Sequence, residues 1–252
     1  MASEKKTITL LDEQEEHYEI LSGILEVSPF CFDGSDTGMG KTIISGKLAK
    51  DLGLYMMVLC PKAIVNSWVR FSETYDVDFV TYVKKGSRDE PFIMTYNTFA
   101  GSEYNVPSNN IVVLRNGRYE ITSSFKEIVD SGILLVLDEA QAIKNNNTSY
   151  YKSLEPVIDY IVKSNSNSKV IFLSATLVDR SEQLVSILQI IGVINDRITR
   201  TKLESGYPSG ILEMYKYGAL INPEEAMKIE ANDYVINGIN PLTSTFDKTN
   251  AS

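Results

Sequence analysis

The sequence predicts an α/β fold: a mainly parallel sheet with helices on both faces, one inserted β-hairpin and a small C-terminal tail. Three observations carry this. Short apolar runs alternate with helix-length stretches, the order expected of parallel strands joined by crossover helices. Two of the runs, 133–137 and 170–173, are apolar throughout, as strands covered on both faces must be. A glycine-rich turn lies between the first run and the helix after it, the context a phosphate-binding loop requires.

In chain order, the acidic stretch 13–25 reads as a helix and 30–33 as the first strand. The glycine-rich turn opens helix 41–52; strands at 55–60, 79–83 and 92–95 follow, with helix 65–75 between the first two. Residues 111–114 and 118–122 flank Asn116-Gly117, the strongest short-range hairpin signal, and break the alternation. Strand 133–137, helix 149–163, strand 170–173 and helix 182–191 restore it. The last helix carries Leu184, Leu188 and Ile191 on one face. Beyond residue 201, glycines and prolines punctuate short segments and the end is polar. Residues 1–200 therefore read as one domain and 201–252 as an appended tail of short helices.

With 252 residues, 43% apolar and 23% charged, the chain has the make-up of a globular protein with a sizeable core. Its 24 Lys and Arg against 33 Asp and Glu give a net charge of −9. That argues against coating nucleic acid through bulk charge and leaves room for a local groove. The dense basic cluster Lys84, Lys85 and Arg88 reads as a solvated loop. Cys31 and Cys60 are too few for a disulfide framework and read as inert core thiols in a reducing compartment. The single histidine, His17, excludes a two-His metal site and reads as a surface residue on an acidic helix. Apolar runs fall far short of the roughly 20 residues of a membrane span, and the N-terminus lacks an apolar signal core. The expectation is an intracellular protein, neither secreted nor membrane-bound.

Three segments carry chemistry. In Ser35-Asp36-Thr37-Gly38-Met39-Gly40-Lys41-Thr42, the glycines let successive N–H groups turn inward on phosphate oxygens, and the following helix adds its dipole. Lys41 would reach the β- and γ-phosphates of ATP, and the Thr42 hydroxyl would ligate Mg²⁺. Ser35 stands where the general motif has glycine. In the second segment an apolar strand ends in Asp138 and Glu139, two carboxylates at the carboxyl edge of the sheet. Asp138 would hold Mg²⁺ and Glu139 would act as general base on water. The third is Ser174-Ala175-Thr176, at the end of what reads as a neighbouring strand.

Together, Gly38-Met39-Gly40-Lys41-Thr42, Asp138-Glu139-Ala140-Gln141 and Ser174-Ala175-Thr176 resemble the first RecA-like lobe of superfamily 2 helicases and translocases. Val58-Leu59-Cys60-Pro61-Lys62 before Trp68, and Ile93-Met94-Thr95-Tyr96-Asn97-Thr98-Phe99, are similar to the Swi/Snf-type remodelling group. Gln141, where that group usually has His, and Ser-Ala-Thr, where it often has Thr-Gly-Thr, depart from it. The resemblance covers residues 10–195. It implies a P-loop ATP hydrolase that uses ATP and Mg²⁺ and contacts nucleic-acid backbone, DNA more than RNA.

By the same resemblance, Gln14 is a candidate adenine reader; the competing reading is a surface glutamine on an acidic helix. Gln141, Ser174 and Thr176 would couple the γ-phosphate state to a nucleic-acid face lined by Pro61, Lys62, Thr95 and Tyr96. Trp68, at helical spacing from Ser72 and Tyr75, reads as a packing residue. A complete motor of this kind has a second RecA-like lobe that supplies an arginine finger, so a second lobe or partner protein is expected, and weak hydrolysis without it. The alternative function is a nucleotide-gated scaffold in a replication or transcription complex.

Overall fold

The computed structural model describes residues 5–83, 89–101, 111–175 and 181–191, with the short strand pair Ile239–Asn240 and Thr245–Phe246. The expected tail of short helices, and the basic cluster 84–88, lie outside the described residues apart from that strand pair.

Five strands form one parallel sheet. They are β1 (Phe30–Asp33), β2 (Tyr55–Cys60), β5 (Ile93–Thr95), β8 (Ile133–Asp138) and β9 (Lys169–Leu173), in spatial order β1-β9-β8-β2-β5. β8 is central: Val136 pairs Val58 on one side and Ile171 on the other. Period-2 alternation sends successive apolar residues to opposite faces, so a strand buried on both must be apolar throughout. Phe32, Met57, Leu135, Leu137 and Phe172 join one core, beneath α5 (Ser123–Asp130), α6 (Ser149–Lys163) and α7 (Ser181–Ile190). Phe32 stacks on Phe172 at 4.5 Å within it. Cys31, Met56, Val58, Leu134, Val136 and Ile171 join the other, beneath α1 (Asp12–Val27), α2 (Lys41–Asp51) and α3 (Val65–Thr74). Gly46 matters for that second layer. A Cβ there would lie 2.3 Å from Phe71 Cζ, so glycine lets α3 seat directly on α2.

Threonine caps start three helices. Thr95, Thr122 and Thr148 accept from the N–H of Thr98, Phe125 and Tyr151, opening α4 (Tyr96–Ala100), α5 and α6. α4 and α5 were not expected, because five and eight residues are too few to display a helical period. Leu188 of α7 and Ile191 just after it are buried as the stripe required.

The hairpin is present. β6 (Val112–Arg115) pairs β7 (Arg118–Ile121), and Asn116 and Gly117 have φ of 50° and 75°, as a type I′ turn demands. The Tyr119 hydroxyl donates to Ala100 O at 2.8 Å and ties the hairpin to α4.

The run 79–83 behaves differently from the other strands. β3 (Thr81–Val83) pairs antiparallel with β4 (Asp89–Pro91) in a separate two-stranded sheet. The free edge of β2 is shared: Met56 exchanges hydrogen bonds with Asp78 and Val80, whereas Val58 N donates to Phe92 O and β5 continues from there. The excursion between these two stretches has no place on the edge and folds on itself.

Candidate functional site

Because all five strands run parallel, their carboxyl ends share one edge of the sheet. The loop after β1, the acid pair ending β8 and Ser174 after β9 therefore meet there, and the ends of β2 and β5 lie alongside.

In the loop after β1, Gly38 and Gly40 have φ of 91° and 85°, a region L side chains rarely adopt. Lys41 is the first residue of α2, and its ammonium folds back to donate to Asp36 O at 2.8 Å and to Ser35 O. The lysine thus lies over its own loop. Gln14, in the first turn of α1, accepts from Leu11 N at 3.1 Å, and its amide nitrogen reaches Met39 O at 3.5 Å. A Cβ on Gly40 would stand 2.1 Å from that nitrogen. Gly40→Ala should therefore expel Gln14 from the loop and destabilise the fold by about 1–2 kcal/mol through the left-handed backbone alone. Unchanged urea midpoints in the variant would contradict this.

Asp33 ends β1 and is 2% exposed. Its Oδ1 accepts from Ser35 N at 3.0 Å, from Ser35 Oγ at 2.6 Å and from His17 Nε2 at 3.1 Å. Oδ2 is buried without a partner among the described residues. His17, expected at the surface, is instead half-buried and paired with Asp33 beneath the glycine loop. The hydrogen bond to Asp33 raises its pKa above 6.5 against the opposing effects of burial and Lys41. Burial pushes Asp33 up, but the bonds from His17 and Ser35 outweigh it and hold the carboxyl below 3.8. The sign follows. The pair's contribution is intact between about pH 3.8 and about pH 6.5; it is lost as pH falls through the lowered Asp33 value and as pH rises through the raised His17 value. Melting temperature should fall across that upper range in the native chain and not in His17→Gln. Parallel profiles would refute the pairing.

Asp138 is gripped at three points. Its Oδ2 accepts from the indole N–H of Trp68 at 2.7 Å, Oδ1 from Glu139 N at 2.9 Å, and its carbonyl from the Tyr96 hydroxyl at 2.9 Å. Burial raises its pKa above 3.8, the Glu139 charge adds to this, and the Trp68 bond opposes it. Glu139 is one of two non-glycine residues with positive φ among those described, at 53°. Such a backbone costs on the order of 1–3 kcal/mol and is kept where surrounding structure imposes it. Here it turns the Glu139 carboxylate towards Gln141, whose amide donates to Glu139 Oε2 at 2.7 Å. Ser174 Oγ in turn donates to Gln141 Oε1 at 2.6 Å. A continuous relay thus joins β9 to the acid pair. Thr176 lies outside the described residues.

Next to the acids is an open groove of about 890 Å³. Pro61 and Lys62 line one wall, with Val65 and Asn66 of α3; Thr95 to Thr98 line the other, and Ala142 and Tyr150 complete it. The four residues expected on a nucleic-acid face do meet here. Tyr96 departs from the expectation in one respect: it is 3% exposed, with its hydroxyl spent on Asp138 O, so it forms the groove's floor. Burial pushes the Cys60 thiol, also in the lining, up to about 12, and Cys31 higher still, so both are inert.

No protein-family model matches the chain. Over 178 residues it is 25% identical to a putative ATP-dependent RNA helicase of Acanthamoeba polyphaga mimivirus, covering 69% of this chain and 32% of that protein. Its fold matches a solved structure, the SWI2/SNF2 ATPase core of Sulfolobus solfataricus in complex with dsDNA. The TM-score is 0.54 at 18% identity, over 92% of this chain and 44% of the other. The chain thus shares the α/β fold of that ATPase core and is similar in sequence to the viral helicase. It spans about a third of the length of the curated relative it matches.

Three residues of this site escaped the sequence reading. Trp68 read as packing, yet its N–H is committed to Asp138. Asp33 carried the same signature as Asp138, a carboxylate closing an apolar strand, and that signal was available. His17 sits three residues after Gln14, on the same helical face, which was a second available signal.

Proposed function

We propose that the lobe binds Mg·ATP and hydrolyses it as the nucleotide-binding half of a nucleic-acid motor acting on duplex DNA. The observation that carries this is the shared sheet edge, where the Gly38–Gly40 loop, Lys41 and the acid pair converge. Lys41, which folds onto the carbonyls of Ser35 and Asp36, would turn to phosphates seated on the loop. Glu139 would take a proton from water, and Gln141 and Ser174, hydrogen-bonded to it in series, would relay its state. The donor set suits Mg²⁺: a hydroxyl from Thr42 and a carboxylate from Asp138 are hard oxygen ligands, and phosphates and waters complete such sites. Once bound, the ion would neutralise charge on the phosphoryl oxygens. Gln14, packed on the loop, would bound the base-binding side, and the groove would receive a phosphate backbone against Lys62, Asn66 and Thr98.

Among the described residues no helix is long and apolar enough to cross a membrane. Full turnover would require a second lobe, whose arginine is worth roughly 10³–10⁵ in rate. The test is ATP hydrolysis by the chain alone, with duplex DNA or RNA, and with a second lobe supplied in trans. Slow basal turnover that rises when duplex DNA and the second lobe are both present is expected. Nucleotide binding with no hydrolysis in any combination would contradict the motor and leave the scaffold.

A further inference from the structure

We propose that Trp68 is a positioning residue for the cation: its indole N–H sets the Asp138 carboxylate in the orientation that receives Mg²⁺. This rests on the assignment of Asp138 as the metal-side acid. The torsion that orients a carboxylate is broad and nearly two-fold, so covalent geometry alone does not fix where the oxygens point. Hydrogen bonds must do it. Glu139 N holds Oδ1 from within the same turn, and Trp68, on α3, holds Oδ2 at 2.7 Å from another element. An indole offers one donor and no acceptor, so it fastens one oxygen of an ionised carboxylate without competing for the cation. Each oxygen accepts one of these bonds and keeps lone-pair capacity for a cation.

The placement also speaks against simple packing. Trp68 is 1% exposed and stands edge-on to Phe71 at 5.7 Å, so its ring belongs to the core while its single polar atom is aimed out of that core at the acid. Val65 and Asn66, on the first turn of the same helix, line the groove. A shift of α3 on groove occupation would therefore move the donor that holds Asp138.

Trp68 is the chain's single tryptophan, so biosynthetic replacement of tryptophan by benzothienylalanine exchanges one N–H for sulfur at one position and keeps the ring's shape. The readout is equilibrium binding of ADP as a function of Mg²⁺ concentration, with thermal melting alongside. The proposal expects the Mg²⁺ midpoint to rise about ten- to hundredfold, the range for loss of a partner that orients a metal ligand, while ADP binding without Mg²⁺ is unchanged. Trp68→Phe should move it in the same direction. A midpoint equal to the native one in the isosteric protein, whatever its melting temperature, overturns the proposal if Asp138→Asn does raise it. If Asp138→Asn also leaves the midpoint unmoved, the assignment of Asp138 itself fails, and the positioning role with it.

Discussion

Glu139→Gln should lower ATP hydrolysis by about 10²–10⁴-fold and leave nucleotide affinity nearly unchanged. The amide retains the size of the carboxylate and a carbonyl oxygen that can accept the Gln141 bond seen at Oε2, so the relay to Ser174 survives. The unusual backbone of Glu139, at φ 53°, is not altered by the exchange. What is lost is a group able to take a proton from the attacking water. Hydrolysis should be followed in single turnover with the second lobe supplied, beside a nucleotide titration. Turnover at the native rate would show that Glu139 is not the base. A parallel fall in affinity would show that the substitution disturbs the loop instead.

What the sequence made legible was governed by how locally each feature is determined. Strands β1, β2, β8 and β9 are visible because parallel burial on both faces demands unbroken apolar runs, and the Asn116-Gly117 turn because two positive φ angles restrict residue choice. The glycine loop and acid pair are visible because each is a strand end with special residues. The placement of 79–83 was not, since a strand of that composition serves equally in a parallel sheet or a side hairpin. Competition for the β2 edge decides it. Trp68 and His17 were missed for a related reason. A tryptophan at helical spacing and a histidine in an acidic helix declare their environment only when a distant residue arrives, Asp138 in one case and Asp33 in the other. Tyr96 does line the groove with Pro61, Lys62 and Thr95, but its hydroxyl is committed to Asp138 O, which a loop motif cannot reveal.

The second large effect is expected at Lys41. Its ammonium donates to two loop carbonyls, those of Ser35 and Asp36, and among the described residues it hydrogen-bonds no carboxylate. A phosphate seated over Gly38–Gly40 would offer it a charged acceptor in place of neutral ones, and charge-assisted bonds are roughly twice as strong. Removing a hydrogen bond to a charged group costs about 1.5–3 kcal/mol, which is about ten- to a hundredfold in affinity. The loop itself should persist in Lys41→Ala, because Asp33 holds Ser35 from below through both its N–H and its hydroxyl. Equilibrium titration of Mg·ATP into the native chain and into folded Lys41→Ala, with equal melting temperatures as the control, is the most direct measurement. The proposed site predicts saturable binding by the native chain and a loss of at least about tenfold in the variant. Equal affinity in the two proteins, or no saturable binding by the native chain, would contradict it.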